Sequence, residues 1–188
     1  MSAPRYAELQ VTSHFSFLRG VSSAEELFEQ AARLGIEALA IVDRNSLAGI
    51  VRAHEAAKAT GVRLVVGCRL DLADGMSVLA YPTDRTAYSR LCRLLSLGKR
   101  RAGKGRCHLE WADLADHGEG MIAVLLPDLA DDECALRLRR LRETFGDRAH
   151  MALTLRRRPN DQLRLHDLST LALRMRVPTV VTNDVLFH

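Results

Sequence analysis

The sequence is poor in aromatic residues and contains no closely spaced cysteine pair. Phe, Trp and Tyr together make up 5% of its 188 residues, too few to predict a surface of stacked aromatics of the kind that binds single-stranded nucleic acid. The four cysteines include no C-x-x-C pair, so neither a zinc knuckle nor a disulfide framework is indicated. We expect reduced and mostly buried thiols at Cys68, Cys92, Cys107 and Cys134.

Long apolar runs and glycine-rich phosphate loops are also missing. No window reaches the ~18 consecutive apolar residues that a membrane span requires, and neither G-x-G-x-x-G nor G-x-x-x-x-G-K-[ST] occurs. The amino terminus shows neither an apolar core nor a small-residue cleavage site. We therefore expect a cytoplasmic protein that has no membrane partner and binds no nucleotide through such loops.

Positive charge exceeds negative charge only slightly. Lys and Arg number 27 against 23 Asp and Glu, for a net charge of +4, which permits but does not require proximity to nucleic acid. Basic residues cluster at 156–158 and, interleaved with glycines, at 99–106. For the second cluster we predict a flexible surface loop, either solvated or folded against a neighbouring domain, with contacts to DNA phosphates as the alternative. Its basic residues are Lys99, Arg100, Arg101, Lys104 and Arg106.

Apolar strands alternate with amphipathic helices along the whole chain. The patterns predict strands at 7–12, 37–42, 63–72, 76–81, 120–126, 149–155 and 179–182, and helices at 23–34, 47–60, 86–97, 131–144 and 161–175. This alternation predicts an α/β fold with a mainly parallel sheet, because apolar strands need helices to cover them. About seven strand-helix units in this length favour a small barrel over a doubly wound sheet, in a single domain covering residues 1–188.

Polar residues follow several of the predicted strands, where parallel α/β folds collect their ligands. These positions are Thr12 to His14, Asp43 to Asn45, Arg69, and Asn183 and Asp184 with His188.

Four segments occur in the order seen in PHP (polymerase and histidinol phosphatase) domains. They are ELQVTSHFSFLRG from Glu8, ALAIVDRNSLAG from Ala38, VVGCRL from Val65 and PTVVTNDVLFH from Pro178. The whole chain resembles this family. It looks closest to the PHP domains that open the bacterial error-prone DNA polymerases, which are paralogues of the replicative polymerase III alpha subunit. The segment YPTDRTAYSRLCRLLSLGKRRA from Tyr81 also has a counterpart in those domains. The resemblance implies a distorted (β/α)7 barrel that forms the amino-terminal piece of a larger polymerase.

By the same resemblance, active PHP domains hold several metal ions, but most ligand positions carry other residue types here. Gln10 and Thr12 stand at the H-x-H positions, Arg19 at an acidic position, Arg44 and Leu186 at histidine positions and Arg69 at a glutamate position, whereas Asp43 and Asp184 match. Guanidinium groups are cationic donors that cannot coordinate a metal. We therefore expect no cofactor, and predict that Arg19, Arg44 and Arg69 pair with Asp43 and Asp184 where relatives hold metal.

The leading hypothesis is a structural and interaction module with a degenerate metal site and no catalytic residue of its own. The resemblance implies that the parent is a DNA-directed DNA polymerase, a nucleotidyltransferase used in replication and repair of damaged DNA. The implied partners are the polymerase core of the same polypeptide, DNA through the parent protein, and other translesion-synthesis proteins.

Two alternatives remain open. The first is a metal-dependent phosphoesterase or 3′–5′ exonuclease that acts through one weakly bound Zn, Mn or Mg ion at a residual site. Its ligands would be His14, Asp43, Asp184 and His188. The second is a pure DNA-binding module that uses the basic clusters and whose affinity would fall steeply with salt.

Overall fold

The computed structural model describes residues 6–188, which divide into two compact units. The described part of the first unit covers residues 6–68 and Asn183–His188, and the second unit is Arg69–Thr182. Residues 1–5 lie outside the described part of the chain. The predicted single domain over residues 1–188 and the predicted absence of a secretion signal both include these residues, so both stay predictions. No helix within residues 6–188 is long and apolar enough to cross a membrane.

The first unit contains a parallel three-stranded sheet. Its strands are β1 (Ala7–Val11), β2 (Ala38–Ile41) and β3 (Arg63–Val66), in that order. On the other side of β1, Val11 forms a parallel bridge with Val185. Helices α1 (Ala24–Arg33) and α2 (Ile50–Thr60) contact each other and help to bury the core. This core comprises Val11, Ala24, Leu27, Phe28, Ala31, Leu39, Ile41, Ala53, Ala56 and Val62.

Local signals explain where the helices of this unit begin and end. The Ser23 hydroxyl accepts from the Glu26 N–H at 3.2 Å, and the Glu26 carboxylate accepts from the Ser23 N–H at 2.8 Å, which confirms the predicted capping box of α1. Helix α2 begins three residues later than predicted. Asn45 has a left-handed φ of 48°, and the Ser46 hydroxyl accepts from the Ala48 N–H at 3.2 Å, so these residues form turns instead of helix.

The second sheet has five strands. They are β4 (Cys68–Asp71), β5 (Ser77–Pro82), β6 (Met121–Leu125), β7 (Ala149–Thr154) and β8 (Thr179–Thr182), in that order. Strands β6, β7 and β8 are parallel, while β5 and β6 are antiparallel. The helices of the second unit are α3 (Arg85–Ala102), α4 (Trp111–His117), α5 (Asp132–Phe145) and α6 (Asp161–Arg174), with a 3-10 turn at Gly146–Arg148.

Two strand predictions need correction. The predicted strand 63–72 consists of β3 and β4, which belong to different sheets and are separated by Gly67. Apolar residues on both sides of this glycine continue one pattern, so periodicity alone does not reveal the break. The antiparallel β5–β6 pair was also unexpected, because strand direction depends on pairing between distant segments.

Two helix predictions need correction as well. Helix α4 was not predicted, because its seven residues are too few for a clear helical period. Helix α3 continues five residues past its predicted end and includes Lys99, Arg100 and Arg101 in its last turn. Basic side chains are favourable there because carbonyl groups make the carboxyl end of a helix partly negative. The predicted flexible loop therefore begins only at Gly103.

Candidate functional site

Most of the predicted site residues lie at or beside the ends of β1 and β2 in the first unit. Gln10, Thr12 and Asp43 are buried, with exposed fractions of 3%, 4% and 1%. Arg44 and Asp184 are half-buried, whereas Arg19, Leu186 and His188 are exposed. Arg69 lies on β4 in the second unit.

Asp43, directly after β2, is held by donors from the turn that follows β1. Its Oδ1 accepts hydrogen bonds from the Ser13 N–H at 2.9 Å and the Ser16 hydroxyl at 2.7 Å, and its Oδ2 accepts from the Ser13 hydroxyl at 2.7 Å. Burial raises the pKa of Asp43, although these bonds and the nearby His14 act to lower it. A carboxyl group that is enclosed by neutral donors therefore occupies the centre of the predicted site.

Two motif glycines let the chain close around this group. A Cβ atom on Gly20 would lie 2.1 Å from the Ser13 carbonyl oxygen, and one on Gly49 would lie 3.1 Å from Asp43 Oδ2. The first distance is far inside van der Waals contact, so the turn after β1 requires glycine at position 20. The Ser16 hydroxyl also accepts from the Arg44 N–H at 2.9 Å and thereby links the two loops.

Glu8 on β1 is a second buried carboxylate, and the sequence analysis did not single it out. It accepts from the Tyr6 hydroxyl at 2.6 Å, the Gln10 N–H at 2.8 Å and the Asn183 side-chain amide at 3.0 Å. The pKa of Tyr6 is raised by burial and by its hydrogen bond with Glu8. The position of Glu8 within a predicted strand could have indicated a polar network, because a buried carboxylate needs several hydrogen-bond donors.

Asp184 is bonded by a neutral donor. Its Oδ1 accepts from the Gln10 side-chain amide at 2.6 Å, and its backbone has a left-handed φ of 50°. Asp43 is likewise bonded by neutral donors, which come from Ser13 and Ser16. The ion-pair cluster that we predict for Arg19, Arg44 and Arg69 with these two acids stays a prediction.

Arg69 forms an ion pair with Asp71 on its own strand. Its Nε donates to Asp71 Oδ1 at 2.9 Å, and its Nη2 donates to the Ser77 hydroxyl at 3.3 Å. Asp71 lies two residues further along β4, and therefore on the same face of the strand as Arg69. This local pair was not among the predictions.

His14 and His188, which the alternative hypothesis assigned to a metal, both contact Ser22. His14 Nδ1 lies 3.3 Å from the Ser22 carbonyl oxygen, and His188 Nδ1 lies 2.7 Å from the Ser22 hydroxyl. In the described part of the chain, no three His, Cys, Asp or Glu side chains are grouped so that they could hold a metal ion. His14, Asp43, Asp184 and His188 thus do not form a ligand set, and the absence of a cofactor stays a prediction.

The residues that sequence reasoning missed are mainly hydroxyl-bearing. Ser16 and Ser22 organise the site but were not singled out, because a serine in a loop is usually an ordinary turn residue. The available signal was the spacing of Ser13 and Ser16, three residues apart in a glycine-terminated turn after β1.

The chain is similar to known proteins along its whole length. The family model of the PHP domain matches residues 8–168. The chain is 73% identical over its full length to error-prone DNA polymerase 1 of Agrobacterium fabrum and 49% identical to the error-prone DNA polymerase of Caulobacter vibrioides. It spans 17% and 18% of the length of these relatives.

Two solved structures have a similar fold. A putative metal-dependent phosphoesterase from Bifidobacterium adolescentis matches with a TM-score of 0.67 and 18% identity, over 98% of this chain and 89% of that one. An amidohydrolase from Chromobacterium violaceum matches with a TM-score of 0.70 and 15% identity, over 96% and 87%. At these identities the likeness shows the fold alone.

Proposed function

The chain belongs to the PHP domain family, and on that premise we propose that it is one domain of an error-prone DNA polymerase, where it serves as a structural and interaction module with a degenerate metal site. The support is its high identity to polymerases several times its length. In this proposal, DNA-directed synthesis across damage belongs to other parts of the parent protein. The chain itself contributes a folded support.

The environment of Asp43 is the single observation that carries the non-hydrolytic role. A carboxylate must be deprotonated and present free lone pairs to bind a metal. Asp43 already accepts three hydrogen bonds from Ser13 and Ser16, and burial raises its pKa. Both effects weaken it as a ligand.

The other positions that the resemblance assigns to metal ligands fit a metal poorly. Gln10 directs its amide nitrogen to Asp184, and a donor nitrogen does not coordinate. Arg44 carries a cation, Thr12 carries a neutral hydroxyl, and Leu186 has no donor atom. Divalent metals prefer imidazoles, carboxylates and thiolates, so these residues do not suit a multinuclear centre, and we assign no hydrolytic step to them.

An exposed apolar patch supports the interaction role. Phe17, Leu18, Val21 and Phe187 are exposed by 85%, 87%, 75% and 69%, and the Val21 N–H donates to the Leu186 carbonyl at 3.0 Å. Leu18 also has a left-handed φ of 61°, a costly conformation for leucine. Clustered apolar side chains of this kind usually mark a contact surface, and here we expect contact with another part of the polymerase.

Metal analysis of the purified chain tests the degenerate site. We expect substoichiometric Zn and Mn by mass spectrometry, no metal-dependent hydrolysis of p-nitrophenyl phosphate and no 3′ trimming of a labelled primer. The matched control restores ligand types in the first unit with Gln10→His, Thr12→His, Arg44→His and Leu186→His, and should bind more metal. Stoichiometric metal in the unaltered chain, with hydrolysis that a chelator abolishes, would favour the phosphoesterase or exonuclease.

A second experiment tests the interaction role in the full-length parent polymerase. Leu18→Asp should lower the melting temperature of the polymerase while leaving that of the 188-residue chain nearly unchanged, because Leu18 is exposed in the isolated chain. Val51→Asp, at another exposed apolar position, is the control. Equal effects of the two substitutions on the polymerase would contradict the assignment of the patch.

A further inference from the structure

The positive charge of the chain is concentrated in one segment. Residues 85–107 contain eight Lys or Arg and no Asp or Glu, so the other residues hold 19 of the 27 basic side chains against all 23 acidic ones. This segment thus carries a charge of +8, and the remainder carries −4. The modest net charge of +4 conceals a strongly basic strip.

Helix α3 presents part of this charge along one face. Ser89, Arg93, Ser96 and Arg100 are all exposed, and their spacings of four, three and four residues place them on the same side of the helix. Arg93 and Arg100 are separated by about two turns, or ~10 Å along the axis. The face combines guanidinium and hydroxyl groups.

The turn after α3 adds further charge at the end of that helix. The chain folds back so that the His108 N–H donates to the Gly98 carbonyl at 3.0 Å. A Cβ atom on Gly98 would lie 2.6 Å from Cys107 Sγ, so the returning segment packs directly against the helix. Lys104 and Arg106, both exposed, are therefore held within this short returning turn.

Two of the eight basic residues are neutralised by acids from outside the segment. Arg90 pairs with Glu119 at 2.6 Å, and Arg101 pairs with Asp113 at 2.5 Å. Arg101 is therefore an anchor of the helix. Within residues 6–188 the other six form no ion pair. These six define the α3 basic surface: Arg85, Arg93, Lys99, Arg100, Lys104 and Arg106.

The chemistry of this surface fits a polyanion better than a protein partner. None of the large exposed apolar side chains of the described residues lies in this segment, whereas protein interfaces are built around an apolar core. Its one aromatic residue, Tyr88, is half-buried, so bases have no stacking platform. Arginine, lysine and hydroxyl groups are the side chains that typically contact nucleic-acid phosphates.

We propose that the α3 basic surface binds the phosphate backbone of double-stranded DNA without sequence preference. The choice of DNA among polyanions rests on the proposed function. The surface would add a phosphate contact to the polymerase at a position that has no role in the predicted metal site. Lys99, Arg100, Lys104 and Arg106 would make the main contacts, while Arg101 would position the helix through Asp113.

The test measures binding of a fluorescent duplex of about 20 base pairs to the 188-residue chain by anisotropy over a range of salt concentrations. One variant carries Lys99→Gln, Arg100→Gln, Lys104→Gln and Arg106→Gln. The control carries Arg33→Gln, Arg52→Gln, Arg139→Gln and Arg174→Gln, which change the net charge equally at exposed positions of other helices. All eight side chains are exposed, and each variant removes two basic residues from the last turns of helices. Both variants should therefore melt at closely similar temperatures. A smaller variant, Arg93→Gln with Arg100→Gln, tests the helical face separately.

We expect the first variant to bind at least ~100-fold more weakly at low salt and to lose about three to four units of the slope of log K against log salt, since each phosphate contact contributes roughly one unit. The control should retain most of its affinity and slope. Equal losses in both quadruple variants, or no binding by the unaltered chain at low salt, would overturn the proposal. Competition by polyglutamate as effective as by DNA would also overturn it, in favour of an acidic protein. None of these outcomes bears on the metal and stability tests of the proposed function.

Discussion

Buried carboxylates are satisfied differently in the two units. In the first unit, Asp43 receives its hydrogen bonds from the hydroxyl and backbone groups of Ser13 and Ser16. In the second, Asp113 is bound by the Arg101 guanidinium at 2.5 Å and by the Glu110 N–H at 2.9 Å. The pKa of Asp43 is raised by burial. The pKa of Asp113 is lowered because the bonds and charge of Arg101, with the Glu110 N–H, outweigh burial.

The comparison shows two ways of satisfying a buried carboxyl group, with neutral dipoles at Asp43 and with a guanidinium group at Asp113. Ser13 and Ser16 surround Asp43 with neutral dipoles, whereas Arg101 on α3 forms an ion pair with Asp113 on α4. Neutral donors can bind a buried acid without the desolvation cost of a second buried ion.

Removal of the Asp43 carboxyl group should have the largest effect. Asp43→Ala leaves the donors of Ser13 and Ser16 without their acceptor in a buried site, and we expect the free energy of unfolding to fall by about 3–4 kcal/mol. Asp43→Asn keeps one acceptor oxygen and should cost less than half of that. Urea unfolding measures both. Equal losses for the two substitutions would show that the charge of Asp43, and not its capacity to accept hydrogen bonds, stabilises the unit.

Gly20→Ala should have the next largest effect, because it forces apart the turn that supplies these donors. The added methyl group would meet the Ser13 carbonyl oxygen at 2.1 Å, which predicts a loss of about 2–3 kcal/mol. The control is Gly35→Ala, where φ is +70° but no atom lies within 4 Å of the new methyl group, and where about 1 kcal/mol is expected. If thermal unfolding gives the same loss of stability for both substitutions, the close approach of Gly20 to the Ser13 carbonyl group does not determine the conformation of this turn.

Features that depend on interactions between nearby residues were predicted correctly from the sequence, whereas features that depend on distant segments were not. The capping box at Ser23 and Glu26 and the bounds of β8 were predicted correctly, because local side-chain and turn signals define them. The α/β class and the resemblance to PHP domains are likewise confirmed. The break at Gly67 and the antiparallel β5–β6 pair were missed, because each depends on which distant segment a strand joins.

At the site, the sequence predicted which residues lie beside strand ends but not how their side chains pair. Gln10, Asp43 and Asp184 were all singled out, and Gln10 does contact Asp184. The hydroxyls that enclose Asp43 could not be predicted, because their direction depends on the folding of the turn from Ser13 to Gly20. That geometry follows from a close backbone approach that residue spacing does not reveal.

Asp113→Ala in the second unit should have a moderate effect. It removes the bond from Arg101, whose side chain is 41% exposed, together with the cap on the Glu110 N–H. We expect a loss of about 1–2 kcal/mol. Part of this loss should disappear at high salt, which screens the ion pair. In the first unit, the loss caused by Asp43→Ala should be nearly independent of salt, and urea unfolding at low and high salt tests this difference.

The pH dependence of the free energy of unfolding should be the smallest effect, and its sign should differ between Asp43 and Asp113. Because the folded-state pKa of Asp43 is raised, its contribution to stability is fully present below the ordinary value near 3.8 and declines as pH rises through the raised value. Because the folded-state pKa of Asp113 is lowered, its contribution is present above that ordinary value and is lost as pH falls through the lowered one. Relative to Asp43→Asn, the unaltered chain should therefore lose stability with rising pH, and relative to Asp113→Asn it should gain. Unfolding free energies measured from acidic to neutral pH should diverge in this way, and parallel curves would mean that the two carboxyl groups are held alike after all.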